Sequence, residues 1–247
     1  MTKLVINADD FGYTEGVNLG IISAYQNGVV SSCTIMANMP GFEHGVDLLK
    51  KNLGLGCGVH MTLTCYKPLL KTHKTIVDEN GNFYKKATKD ILNEMDLDEV
   101  YEEFCAQIDK VKSCGINITH LDSHHHVHGR EELREVIEKI VNKYKLPIRG
   151  AFEYKTNIND IVPVIDSFYA HNVDYDYFEK NIEEIKKHEV CDLMCHPSFV
   201  DEFLLSSTSY ATPRTKEHTI LTCKEIKDFL RKSNISIVNY RKEEKYI

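Results

Sequence analysis

Short apolar runs alternate with segments of helical period from Leu4 to Val238, and this alternation most narrows the folds open to the chain. Leu4–Ala8 is an apolar run that ends in Asp9-Asp10 and reads as a buried strand. Gly16–Gln26 sets Val17, Ile21 and Tyr25 at helical spacing and stops at Asn27-Gly28. Cys33–Ala37 is a second strand, Gly41–Lys51 a helix with Phe42, Val46 and Leu49 on one face, and Leu55–Leu63 a third strand. The pattern resumes with a helix over Leu97–Ser113, a strand over Asn117–Leu121 and the clearest helix, Glu131–Tyr144. Pro147–Gly150 begins another strand. It is followed by a helix over Tyr177–Lys187, a strand over Val190–Cys195, a helix over Lys224–Arg231 and a last strand over Ile235–Val238.

Strands that alternate with helices pair in parallel through right-handed crossovers. About seven such units predict an α/β fold: a (β/α) barrel variant, seven-stranded and incomplete relative to the eight-fold barrel. An open doubly wound sheet is the alternative. There is no Pro/Ser linker, low-complexity tract or internal repeat, so residues 1–247 are expected to form one barrel-like catalytic domain. Between 66 and 96 the periodicity weakens, and Asp78-Glu79-Asn80-Gly81 is a strong turn signal. A long irregular stretch of this kind reads as a loop or lid over a site.

Composition removes several function classes. The net charge of −7 repels phosphate backbones, and no basic patch offsets it, so no nucleic-acid partner is expected. No 18-residue apolar run occurs, and the N-terminus turns polar too soon for a signal-peptide core, so no membrane span is expected. The eight cysteines are scattered with no C-x-x-C pair, which suits free thiols in a reducing cytoplasm. Trp is absent, so any sugar stacking falls to Tyr or Phe. Of twelve His, four lie within Ser123–His128, a cluster that composition does not explain.

The polar residues collect where the strands end. Asn7, Asp9 and Asp10 follow the first strand, His60 lies in the third, Asp122, His124, His125, His126 and His128 follow Asn117–Leu121, and His196 follows Val190–Cys195. In a parallel barrel those ends converge on one face. Of the Asp9-Asp10 pair, one carboxylate can hold a metal while the other faces the substrate as a base; the bland reading is a turn or helix N-terminus. His60 by itself reads as a satisfied core histidine, and the histidine run by itself as a polar loop. If the run stays extended, Asp122, His124, His126 and His128 share one face, and at most one or two of them reach the same ion as His60 and Asp10. Asp10, His60 and His124 together make a two-histidine, one-carboxylate site with positions left for water and substrate. His196, fixed by Pro197, is placed to protonate a leaving group; its bland reading is a loop cap.

Asn7-Ala8-Asp9-Asp10-Phe11-Gly12, Gly58-Val59-His60, the stretch from Thr119 to His128 and Cys195-His196-Pro197 together resemble the YdjC-like carbohydrate deacetylases. The motifs stand in the family's order from residue 4 to about residue 222. The resemblance implies a (β/α) barrel variant that removes acetyl from N-acetylated sugars with a metal, often as a homodimer. It places the metal ligands on Asp10, His60 and His124 and the base on Asp9. Tyr210-Ala211-Thr212-Pro213-Arg214 also resembles a family segment, with Arg214 holding a carboxylate in place or meeting substrate. The 66–96 region is the least family-like part.

Two imidazoles favour Zn²⁺ or another transition ion; the resemblance implies Mg²⁺, which we expect first. The expected partner is a small N-acetylated sugar. The competing readings are another metal-dependent hydrolase, a phosphoesterase or amidohydrolase, and a non-catalytic sugar-binding protein. Asp-Asp stands where the best-known amidohydrolases carry His-x-His, and a binding protein has no need of Asp9 as a base.

Overall fold

Eight strands and nine α-helices follow one another among the described residues of this computed structural model, which are 1–241, 243 and 245. The strands are β1 (Thr2–Phe11), β2 (Ser32–Ile35), β3 (Gly56–Met61), β4 (Ile118–Ser123), β5 (Ile148–Gly150), β6 (Ile161–Ile165), β7 (Val190–Cys195) and β8 (Ile235–Ile237). The helices are α1 (Glu15–Asn27), α2 (Phe42–Lys51), α3 (Lys89–Asn93), α4 (Leu97–Ser113), α5 (Arg134–Tyr144), α6 (Tyr177–Lys186), α7 (Glu202–Ser207), α8 (Pro213–Thr222) and α9 (Lys224–Lys232).

All the strand pairings are parallel, in the order β2-β3-β4-β5-β6-β7-β1, and β1 pairs again with β2 to close a seven-stranded barrel. The expected barrel variant is the observed fold. β8 joins outside this ring: Thr2, Lys3 and Leu4 pair with Ile235, Ser236 and Ile237, whereas β2 meets β1 only from Asn7 onward. The strands read as continuous apolar runs because parallel strands are covered on both faces. Leu4, Ile6, Val59, Leu121, Ile148 and Leu193 are all buried with no exposed surface.

The elements start and stop for local reasons. Thr14 Oγ1 accepts the Val17 N–H at the start of α1, and Asp96 accepts the Asp98 N–H at the start of α4. Gly20 of α1 lies against the segment after β7; a Cβ there would stand 2.4 Å from Ser198 Cα. That contact seats the loop carrying His196.

Four elements depart from the sequence pattern. β6 contains Pro163 and is only 5 residues long, so it gives no alternation. α7 and α8 lie in polar stretches with weak periodicity, and α3 is a single short helix inside the irregular region. Residues 66–96 are irregular but anchored. Glu103 of α4 accepts the Leu69 and Leu70 N–H groups, Glu99 accepts those of Lys74 and Thr75, and Val77 bridges Phe83 across the turn.

Candidate metal centre at the barrel mouth

The barrel interior beneath the mouth is ionic. Arg149 of β5, with no exposed surface, donates to Asp9 through two bonds of 2.6 and 2.7 Å. It also lies 2.9 Å from Asp122 and donates to Asp192 at 2.8 Å. A guanidinium forks onto carboxylates in this way because its donors are planar and fixed. Burial opposes ionisation of Asp9, but the charge and hydrogen bonds of Arg149, together with His60, hold the carboxyl below the usual range. Asp192 is pushed up by burial to about 6 even with Arg149 beside it.

Asp9 and Asp10 reach the mouth together because β1 is not regular there. Its register with β2 shifts between Ala8 and Phe11, and Asp10 takes φ +66°. In a regular strand, neighbouring side chains point to opposite faces. The bulge re-aims one of them, and Asp is one of the few residues that tolerates the left-handed region. Asp10 Oδ1 thus lies 3.3 Å from His60 Nε2 and 3.1 Å from His124 Nδ1, while Arg214 donates to Oδ2 at 2.7 Å. Burial would raise the Asp10 carboxyl, yet Arg214 and His124 hold it well below the usual range.

His60 ends β3. Its Nδ1–H donates to Asp122 Oδ1 at 2.7 Å, which leaves Nε2 facing Asp10. Thr34 Oγ1 donates to the other Asp122 oxygen at 3.0 Å. Burial alone would favour neutral His60, but Asp122 and Asp10 push it up to about 10. His124 follows β4 directly, and the chain does not stay extended there. His125 and His126 are both left-handed, at φ 56° and 51°, inside a 3₁₀ turn over His124–Gly129. The shared face that an extended run would give is therefore lost. His128 turns under, between Ser123 Oγ at 2.6 Å and the Arg149 carbonyl at 3.1 Å. His125 Nδ1 meets Thr64 Oγ1 at 2.9 Å. Burial pushes His128 down to about 3 and His125 to about 4.

His196 follows β7. Burial and the neighbouring Arg214 charge push its imidazole down to about 3, so it stands neutral. Its ring meets Tyr169 and Tyr210 edge-on, and its buried Nδ1 has no hydrogen-bond partner. Its backbone N–H donates to Glu217, whose other oxygen accepts from Tyr210 Oη at 2.5 Å. Burial raises Glu217 to about 7.

The sequence-chosen residues thus meet at one cavity of about 280 Å³, lined by Asp9, Asp10, His60, His124, His196 and Arg214. Sequence reasoning left out Arg149, Asp192, Glu217, Asp166 and Tyr169. An arginine inside a strand gave a signal for the first, because a charge among apolar neighbours needs partners. Asp10, His60 and His124 offer three ligand atoms within 4.8 Å of one another. This donor set fits a divalent ion: the carboxylate is ionised, the two imidazoles converge on it, and Asp122 orients His60 from behind, as outer carboxylates do for ligating histidines.

Fold and site define a parallel (β/α) barrel protein with a candidate metal centre at the C-terminal ends of its strands. The family described as YdjC-like protein matches residues 3–232, and the chain belongs to that family. A carbohydrate deacetylase of Clostridium beijerinckii is 39% identical over 245 residues, covering 97% of this chain and 99% of that protein. One of Brevibacillus brevis is 36% identical over 245 residues, covering 96% and 98%. A solved structure from Enterococcus faecalis V583, assigned to cellobiose-phosphate cleavage, has a TM-score of 0.89 at 33% identity and covers 97% of this chain and 98% of its own. No helix among the described residues is long and apolar enough to cross a membrane.

Proposed function

We propose that this protein is a metal-dependent hydrolase that removes acetyl from N-acetylated sugars of the chitobiose type and releases acetate. The observation that carries the reading is the convergence of Asp10, His60 and His124 beside a separate, arginine-held Asp9. The names of the relatives supply the reaction class.

Asp10, His60 and His124 would hold the ion, with Mg²⁺ proposed first and Zn²⁺ as the alternative that two imidazoles favour. A divalent ion bound there polarises a carbonyl and lowers the pKa of a water. Asp9, kept ionised and aimed by Arg149, takes a proton from the water that attacks the acetamide carbon. Arg214 fixes Asp10 and borders the cavity where the sugar sits. The proton that Asp9 takes up is returned to the departing amine nitrogen by way of His196, whose neutral ring accepts a proton and passes it on, so that Asp9 and His196 both end as they began. The C–N bond breaks, and acetate and the free amine leave. Cellobiose-phosphate cleavage, to which the Enterococcus protein is assigned, would need, if it broke the glycosidic bond, a protonated carboxylic acid over that bond. Asp9 and Asp10 are both held ionised, which suits a base and a ligand instead.

The eight free thiols support a reducing cytoplasm, and the family resemblance supports a homodimer, which sedimentation would check. The deciding experiment measures acetate release from N,N′-diacetylchitobiose by metal-stripped protein with Mg²⁺, Zn²⁺ or no metal restored. Release that returns with one ion is the expected result. Tight metal binding with no acetate from any N-acetylated sugar would overturn the reading, and phosphate release from a generic ester would point to a phosphoesterase.

A further inference from the structure

A second cavity, of about 430 Å³, opens beside the reaction pocket, and the two share His124, His125 and Thr208. Beyond the shared histidines, two segments form most of its wall. One is the start of the irregular region with the 78–83 turn; the other is α7. Cavities of this size suit small organic ligands, and an apolar lining with a few polar groups is their usual character.

Two aromatic side chains are exposed in it. Tyr66 is 44% exposed and Phe203 40% exposed, and their rings meet edge-on with centroids 6.5 Å apart. Tyr13, buried behind them, meets Phe203 at 6.3 Å. Exposed aromatics cost solvation, so a paired set inside a concavity asks for a reason.

The backbone at Tyr66 supplies a second, independent observation. Tyr66 has φ +64°, a conformation that bulky residues rarely adopt. The strain is held in place from both sides. Asn38 Nδ2 donates to the carbonyls of Cys65 and Lys67 at 2.9 and 3.0 Å, and the Phe83 N–H donates to the Tyr66 carbonyl at 2.9 Å. Strained residues that the surroundings over-determine cluster at ligand clamps. Gly and Asn are the residues that take such a turn at least cost.

We propose that Tyr66 and Phe203 are the specificity-determining platform that grips the sugar ring next to the one losing its acetyl group. The proposal rests on the deacetylase reading of the neighbouring pocket. The chemistry fits a pyranose: its C–H face is apolar and lies on aromatic rings, while its rim hydroxyls need polar partners. Asn82 and Lys85 on one wall and Ser207 and Ser209 on the other supply them. The shared His124 and His125 place this ring directly beyond the candidate metal centre, so one glycosidic bond spans the two cavities. The 66–96 region thereby acts on selectivity, as a wall of the second cavity.

The test compares one ring with two. Calorimetry on metal-stripped protein measures binding of N-acetylglucosamine and N,N′-diacetylchitobiose, and acetate release from both is measured on the metal-restored enzyme. Wild type is expected to favour the two-ring ligand in both assays. Phe203→Ala and Tyr66→Ala are each expected to cut that preference roughly threefold to tenfold, the range for an aromatic contact, and Phe203→Tyr to keep it. Tyr175→Ala, at an exposed tyrosine outside both cavities, is the control that should change nothing. Equal binding of one ring and two, or a preference untouched by both alanine variants, overturns the platform. A failure of acetate release from both sugars with the binding preference intact overturns the deacetylase reading alone.

Discussion

Arg149 and Asp9 meet through two parallel hydrogen bonds of 2.6 and 2.7 Å inside the barrel, with neither side chain more than marginally exposed. The candidate base is thus held at both oxygens by a guanidinium that also answers to Asp122 and Asp192. A carboxylate so placed is ionised at neutral pH and has one orientation, which is what proton abstraction at a fixed water requires.

Arg149→Met should leave three buried carboxylates without their common partner. Breaking a buried ion pair from one side costs about 3–5 kcal/mol, so urea unfolding should show a fold close to collapse. Arg149→Lys keeps the charge and loses the fork. It should fold, yet release acetate at least ~10-fold more slowly, because a single ammonium cannot hold both Asp9 oxygens. Equal activity in the lysine variant would remove orientation from the account.

Asp9→Asn should lower acetate release by roughly 10²–10⁴-fold, the usual worth of a positioned base. Its metal content, read by elemental analysis, should match wild type, since Asp9 is not among the three proposed ligands. A loss of metal in step with activity would move Asp9 from base to ligand.

Asp122→Asn should weaken metal binding by about 10–100-fold without touching a proposed ligand, since such outer partners fix ring orientation and tautomer. The supporting geometry is the 2.7 Å contact to His60 Nδ1. Competition with a chelator measures the affinity, and a thermal melt separates it from any loss of fold. Unchanged affinity would sever His60 from the ion.

Glu217 gives a pH dependence of known sign. Its folded pKa is raised by burial to about 7, above the ordinary 4.5. A raised carboxyl contributes stability below the unfolded value, and that contribution is lost as pH climbs through the folded value. Between pH 4.5 and about 7 the wild type should therefore lose on the order of 3 kcal/mol from this one group. Glu217→Gln keeps an acceptor for the His196 N–H, can donate to the Tyr210 hydroxyl oxygen in place of accepting from it, and does not titrate. The stability difference between variant and wild type, taken from urea midpoints, should grow in the variant's favour from pH 5 to 8. A flat difference would show that Glu217 titrates normally.

Much of this protein was legible from its residues. The alternation of apolar runs and amphipathic segments gives the parallel barrel, because parallel pairing needs crossovers and buries both faces of each strand. Leu97–Ser113 and Val190–Cys195 fall where the periodicity puts them. The pattern passes over Ile161–Ile165, where Pro163 breaks the strand signal, and over Pro213–Thr222, whose sequence is too polar to show a face. The polar residues at the strand ends could be named in advance, since a barrel brings all such ends to one mouth.

Tertiary structure decided how those residues face one another. Asp9 and Asp10 are neighbours, and strand period 2 would send them apart; a bulge with a left-handed Asp10 brings both to the mouth. The histidine run likewise folds back through two left-handed residues, so His124 reaches Asp10 while His128 packs beneath Arg149. Arg149, Asp192 and Glu217 act from elements far away in sequence, and nothing local marks their partners. Sequence fixes which residues lie at the ends of strands, because hydrophobic period is a local property. Which of them share a proton, an arginine or an ion depends on backbone deviations and burial, and these exist only once the barrel has closed.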